Sequence, residues 1–265
     1  MILSRRLVLA SAAGLAAFAT RGAAAQPVSL SPLEMFTRIR CSPPGRRTWW
    51  WYSGHMLGHL AGEPARPMLS VMGVSRSEIV KRPDGSIGYS LLEAGYYGAP
   101  DRPGIADGDI TNVLTGAPMR PEHYLSPQAI IFTPELTVRP DLPSLPPGLD
   151  YRGRITPPDI KDGRIWMAEE LFVKAPGLKG GPPRVLNSLA NFEADINDVT
   201  GAEGFVPATM QYTTLNSFRP WMNMGGRSGS IMMRLNAVKL PDWSKVPAEL
   251  RQRIRSDHPD FAADV

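Results

Sequence analysis

Turn-forming residues interrupt this chain at strand-length intervals, and that punctuation limits what it can fold into. Most apolar stretches are bounded by Pro, Gly, Asp or Asn, and segments with helical periodicity are scarce. The 25 glycines and 27 prolines make up about a fifth of the chain, above the usual share of roughly 12%. The expectation is an all-β, mainly antiparallel fold, barrel-like or a two-layer sheet.

Candidate strands lie around Glu34–Cys41, Thr48–Leu60, Met68–Lys81, Ser86–Tyr97, Ile110–Leu114 and Ala129–Phe132. A second set covers Arg164–Val173, Val185–Phe192, Ala208–Ser217 and Ser230–Leu240. Pro83-Asp84-Gly85 is the clearest turn: proline presets the first dihedral and glycine accepts a positive φ, so the flanking strands return as a hairpin. Gly225-Gly226-Arg227-Ser228-Gly229 reads as another turn, because it lacks the spacing and following helix of a nucleotide loop. Pro176 through Pro183 forms a Gly/Pro-rich connection within the second set.

Seven prolines between Pro134 and Pro158 disfavour helix and central strand alike, so residues 134–160 read as a surface excursion from a single β-rich domain spanning 26–265. Either set of strands alone would leave two open sheet edges; together they can close. Near the end, Val246, Leu250 and Ile254 recur every four residues, which predicts a covering amphipathic helix over Pro247 to Asp257.

The amino terminus reads as a twin-arginine export signal. Arg5 and Arg6 precede an apolar run from Leu7 to Thr20, then Ala23-Ala24-Ala25 suits cleavage before Gln26. Fourteen helical residues rise only ~21 Å, too short for a hydrocarbon core of about 30 Å, so no stable membrane span is expected. The expected location is the periplasm, reached through the twin-arginine machinery. Removing Arg5, Arg6 and Arg21 from 29 basic residues leaves a near balance with 25 acidic ones, which gives no basis for nucleic-acid binding. Cys41 is the only cysteine, so an intramolecular disulfide is impossible.

No cofactor motif is present in the sequence, and none is expected. His55 and His59 would stand about 13 Å apart on a strand, too far to share an ion, although a metal site including His123 stays open as a third reading. Charged and aromatic residues placed within apolar strands are more suggestive. Arg38 and Arg40 share one strand face, Trp50 and Tyr52 another, Tyr89 and Glu93 a third, while Glu169 and Glu170 after Trp166 point to opposite faces. Inward polar groups must be satisfied by one another, by water or by a ligand.

The candidate site follows from that requirement. Arg38, Arg40, Trp50, Trp166 and Trp221 are candidate ligand-binding residues, and Glu93, Glu169, Tyr52 and His55 candidate acid–base residues. The leading reading is an exported protein that binds a hydrophobic or aromatic small molecule in a β-domain pocket, with cofactor-free isomerase- or lyase-type chemistry as its catalytic form. The alternative is a non-catalytic ligand carrier or a structural envelope protein.

Several motifs occur in a consistent order. They are Pro32-Leu33-Glu34-Met35-Phe36-Thr37-Arg38-Ile39-Arg40-Cys41-Ser42, Trp50-Trp51-Tyr52-Ser53-Gly54, Asn112-Val113-Leu114-Thr115-Gly116, Glu169-Glu170, Arg219-Pro220-Trp221-Met222 and Lys239-Leu240. On these the chain resembles the bacterial domain-of-unknown-function family numbered 1838, over nearly all of the sequence after the signal. Leu171 stands where many relatives have Trp after the acidic pair. The resemblance agrees with export and implies no reaction and no catalytic residue.

Overall fold

The computed structural model describes residues 30–262 except 103, 178–182 and 202–203. The expected export signal and its cleavage point at Ala25 lie outside the described residues, as does most of the 176–183 connection.

Among the described residues thirteen strands form, in chain order β1 (Thr48–Leu60), β2 (Arg66–Lys81), β3 (Ile87–Gly98), β4 (Ile110–Thr111), β5 (Pro118–Met119), β6 (Tyr124–Phe132), β7 (Thr137–Pro140), β8 (Asp150–Ile155), β9 (Asp159–Lys161), β10 (Arg164–Ala175), β11 (Arg184–Asp195), β12 (Ala208–Asn216) and β13 (Gly229–Leu240). Every pairing is antiparallel. The ladder runs β11-β12-β13-β1-β2-β3-β6-β7-β8-β10, and a β10–β11 pairing closes it into a ten-stranded barrel. Closure removes the open edges that either half would have left.

Pro134 to Pro158 is not an excursion. It contributes β7 and β8, two staves without which the barrel would gape. The prolines fit because these staves are short: β7 meets β6 only from Val138 to Pro140, and meets β8 only at Thr137 and Val138. Along the rest of this seam, no ladder joins residues 124–129 of β6 to residues 150–152 of β8. The loop across it, residues 141–149, exposes Leu142 and Leu145.

The segment expected as a first strand is instead helix α1 (Pro32–Arg40). Ser31 caps it, accepting from the Glu34 amide while the Glu34 carboxylate accepts from the Ser31 amide, and Pro32 sits where its missing N–H costs nothing. Leu33, Phe36 and Ile39 recur at helical spacing and are buried. Phe36 packs edge-on against Phe132 of β6 and Phe192 of β11 at 5.3 and 5.5 Å, so α1 stoppers one end of the barrel.

The stopper is fastened from the wall. Lys239 of β13 donates to the carbonyls of Arg38 (2.9 Å) and Cys41 (2.7 Å), and the Trp50 indole of β1 donates to that of Arg40 (2.9 Å). These side chains satisfy carbonyls that a helix end leaves open. Burial pulls the Lys239 ammonium down to about 8.

At the opposite end, the buried Asn112 amide donates to the Met222 carbonyl at 2.5 Å and accepts from the Leu114 amide at 2.8 Å. This joins the Asn112–Gly116 turn to the Arg219–Met222 segment. The carboxy-terminal helix α3 (Ala248–Asp257) lies outside the barrel, as its pattern predicts. Leu250 and Ile254, with Val246 ahead of the helix, cover Trp49, Val74, Ala94 and Tyr96.

Candidate functional site

Strand alternation aims Trp50, Tyr52 and Met56 into the lumen and Trp49, Trp51 and His55 away from it. Extending the register around the barrel brings in Tyr89, Glu93 and Tyr97 from β3, Tyr124 from β6, Tyr151 from β8, Glu169 from β10 and Tyr212 from β12. Of the seven tyrosines, all but Tyr96 face inward. Near α1 the interior is solid, with Phe36, Phe132, Phe192 and Ile165 essentially inaccessible. At mid-height the inward-facing Leu91, Glu93, Tyr124, Tyr151, Leu171 and Tyr212 keep accessible surface, and Gln128 is exposed beside the seam.

The centre of this lumen is one row of residues across four strands. Tyr52 pairs with Gly73, Gly73 with Gly95, and Gly95 with Tyr124. A Cβ on Gly73 would overlap the Tyr52 phenol, and one on Gly95 the Tyr124 ring. The two glycines are therefore floor space on which the phenols lie inward until their hydroxyls meet at 3.0 Å.

Tyr124 donates onward to Glu93 Oε1 at 3.0 Å, which leaves Tyr52 as donor to Tyr124. Both donors thus run toward the carboxylate. Burial raises the Glu93 carboxyl above its ordinary range, against the nearby phenols of Tyr52 and Tyr124 and the more distant charge of Arg40, which favour ionisation. Burial also holds both phenols well above theirs, with the Glu93 charge the next cause. Tyr212 on the far wall is pushed up to about 12 by burial and then by Glu93.

Arg40 enters the lumen from the end of α1. Its guanidinium lies 3.1 Å from Glu169 and over the rings of Tyr89, Phe192 and Phe132 at 4.8, 5.1 and 5.7 Å. Burial is the largest single influence and works against its charge, but Glu169, Tyr89 and Cys41 together outweigh it and raise the pKa. Cys41 follows, enclosed, with its thiol pushed up to about 11 by burial.

The sequence-predicted residues divide by position. Glu93, Glu169, Tyr52, Arg40 and Trp50 are brought together in or around the lumen, with Trp50 also packed 5.7 Å from Phe192. Trp221 stacks on Tyr97 at 5.5 Å at the far end. Arg38 and Arg40 do not share a face, because two residues of helix turn side chains by about 200°. Arg38 instead donates to the Val199 and Gly201 carbonyls at the end of α2 (Ile196–Thr200).

Trp166 and Glu170 lie on the outer face of β10, where Glu170 pairs with Arg154 at 2.7 Å. His55 and His59 are exposed on the outer face of β1. His123 has both ring nitrogens engaged: Nδ1 accepts from the Tyr97 amide at 3.2 Å and Nε2 donates to the Ala106 carbonyl at 3.0 Å. Among the described residues no three His, Cys, Asp or Glu side chains converge as a metal set.

Sequence reasoning missed Tyr97, Tyr124, Tyr151 and Tyr212 as lumen residues. A signal was present for Tyr124: Gly95 supplies an empty position on β3, though only the register shows which ring fills it. A shallow depression of about 570 Å³ on the outer wall is lined by residues including Arg152, Phe172, Leu189 and Leu215, and by none of the predicted site residues.

No curated protein and no solved structure matches the chain. Over residues 187–264, from within β11 past α3, the chain is similar to the family described as "Protein of unknown function (DUF1838)", the family its motifs resemble.

Proposed function

We propose that the barrel lumen binds a ring-bearing, largely apolar small molecule whose polar group meets Glu93 and the Tyr52–Tyr124 phenols. One observation carries this reading: Glu93 stands inside a closed barrel, within an aromatic lining, yet it and its inward neighbours Leu91, Tyr124 and Tyr212 keep accessible surface. Desolvating a carboxyl group without gaining a use for it is costly, and a convergent polar group in an apolar concavity is how small-molecule sites are built. The seam between β6 and β8 is the matching entrance.

A ligand with an acidic C–H or a leaving group would meet a proton carrier in Glu93, with Tyr124 and Tyr52 as the hydroxyls that stabilise developing charge. That is cofactor-free acid–base chemistry of the isomerase or lyase type. A carrier would use the same lumen without proton transfer. The Arg5-Arg6 pair and the apolar run to Thr20 support a periplasmic location, testable by fractionating native cells.

The binding test uses 2-naphthol and intrinsic tryptophan fluorescence. Saturable binding is expected in the unmodified chain, and its loss in Leu91→Trp, which fills the lumen at a half-buried inward position. Unchanged binding in a Leu91→Trp protein that still unfolds cooperatively would overturn the lumen as the site.

A further inference from the structure

The two acids inside the barrel are not partnered alike, and the difference points to a ligand class. Arg40 is matched by Glu169 at 3.1 Å and screened by three rings. The Lys239 ammonium is committed to the Arg38 and Cys41 carbonyls behind α1. Glu93 has hydroxyl partners and, among the described residues, no ion pair. Glu93 is therefore the lumen carboxylate that has no cation in contact among the described residues.

What surrounds that carboxylate is aromatic. Tyr124 touches it, Tyr97 packs against Tyr124 with ring centres 5.9 Å apart, Trp221 backs Tyr97 at 5.5 Å, and Tyr212 faces it from β12. Ring faces carry negative charge density, and a carboxylate beside them adds to it; both favour a desolvated cation. The direction of the hydrogen bonds agrees. Tyr52 donates to Tyr124 and Tyr124 to Glu93, an arrangement that solvates a negative charge. A carboxylic acid that gave its proton to a neutral carbonyl ligand would gain nothing from a donor chain already running to it.

We propose that the lumen ligand is an organic cation, a protonated amine on an aromatic or alicyclic frame, whose ammonium pairs with Glu93 between the rings of Tyr97, Tyr124 and Tyr212. This rests on the lumen-binding reading and narrows it. Ligand binding then supplies the cation partner that Glu93 lacks among the described residues.

The test compares three probes of one frame on the whole chain near neutral pH: 1-naphthylmethylamine, 1-naphthylmethanol and 1-naphthylacetate. The amine is expected to bind at least about tenfold more tightly than the alcohol, the size of a desolvated cation–π and ion-pair contact, and the acetate most weakly. Glu93→Gln, which retains an acceptor for Tyr124, should bring amine and alcohol within about twofold of each other.

Ser126→Lys supplies a second variant. Ser126 lies directly opposite Glu93 in the β3–β6 register, so an ammonium there should occupy the site and abolish the amine preference. An unmodified protein that binds alcohol as well as amine overturns the charge assignment alone, as does a preference that survives in Glu93→Gln. If none of the three probes binds, the lumen reading falls and the charge assignment with it.

Discussion

The hydroxyls of Tyr52 and Tyr124 come from strands that are not neighbours, yet they meet 3.0 Å apart because both residues between them in the row are glycine. Two side chains are absent so that two others can lie flat. The polar centre of the lumen is thus built as much by Gly73 and Gly95 as by the tyrosines.

Gly73→Ala and Gly95→Ala should each destabilise the barrel by about 1–3 kcal/mol, since the added methyl overlaps a phenol that cannot retreat through the wall. Gly108→Ala, with open space around the new carbon, should be close to neutral. Urea unfolding of the three variants gives the comparison.

Glu93→Gln should be more stable than the unmodified protein at neutral pH and gain little near pH 4. The folded carboxyl titrates above its ordinary 4.5, so its favourable contribution is complete below that value. It is lost as pH rises through the folded value. Every tenfold gain in proton affinity on folding corresponds to about 1.4 kcal/mol, so the pH dependence of the difference between the two proteins measures directly how far burial raises this carboxyl. Parallel stability curves would show that Glu93 is not desolvated.

Breaking the Arg40–Glu169 pair from either side should cost about 3–5 kcal/mol, because Arg40→Met or Glu169→Met leaves the partner charge enclosed. The double variant should recover a large part of that loss. A double-mutant cycle by chemical denaturation supplies the coupling energy, and simple additivity would count against a paired geometry.

Lys239→Leu leaves the Arg38 and Cys41 carbonyls without their donor and should cost about 1–3 kcal/mol. The loss should appear first as accelerated hydrogen exchange within α1, ahead of the barrel strands, because the helix is fastened to the wall at few points.

Much of the wall was legible in the sequence, because alternation and turn chemistry act locally. Thr48–Leu60 matches β1 in full, and the Pro83-Asp84-Gly85 hairpin forms with Gly85 at φ 80° and Ser86 bonded to the Asp84 carboxylate. Two departures have physical causes. At Arg38 and Arg40 a two-residue polar alternation suggests a strand with both arginines on one face, but the capping signature Ser31-Pro32-Leu33-Glu34 upstream starts a helix that separates them. The Pro134–Pro158 stretch looks unable to pair, whereas staves only a few residues long need few ladder bonds and accommodate proline.

The site was half legible for a different reason. Period-two spacing says that Glu93 shares a face with Tyr89, and that Glu169 and Glu170 diverge. It does not say which face is interior, and no local rule places Tyr212 across from Glu93. Those relationships depend on the barrel register, which is set by pairings between residues far apart in the chain.

The fastening of α1 also sets an order of events during synthesis. This early-made helix is held by Lys239 through a bond to Arg38 that spans 201 positions, on the last strand of the wall. At ribosomal speeds of about 5–20 residues per second, α1 waits roughly ten seconds or more for its anchor. Until β13 emerges and docks, Phe36 and Arg40 have no finished socket to enter, so the lumen is sealed at that end only once the last stave of the barrel has been made.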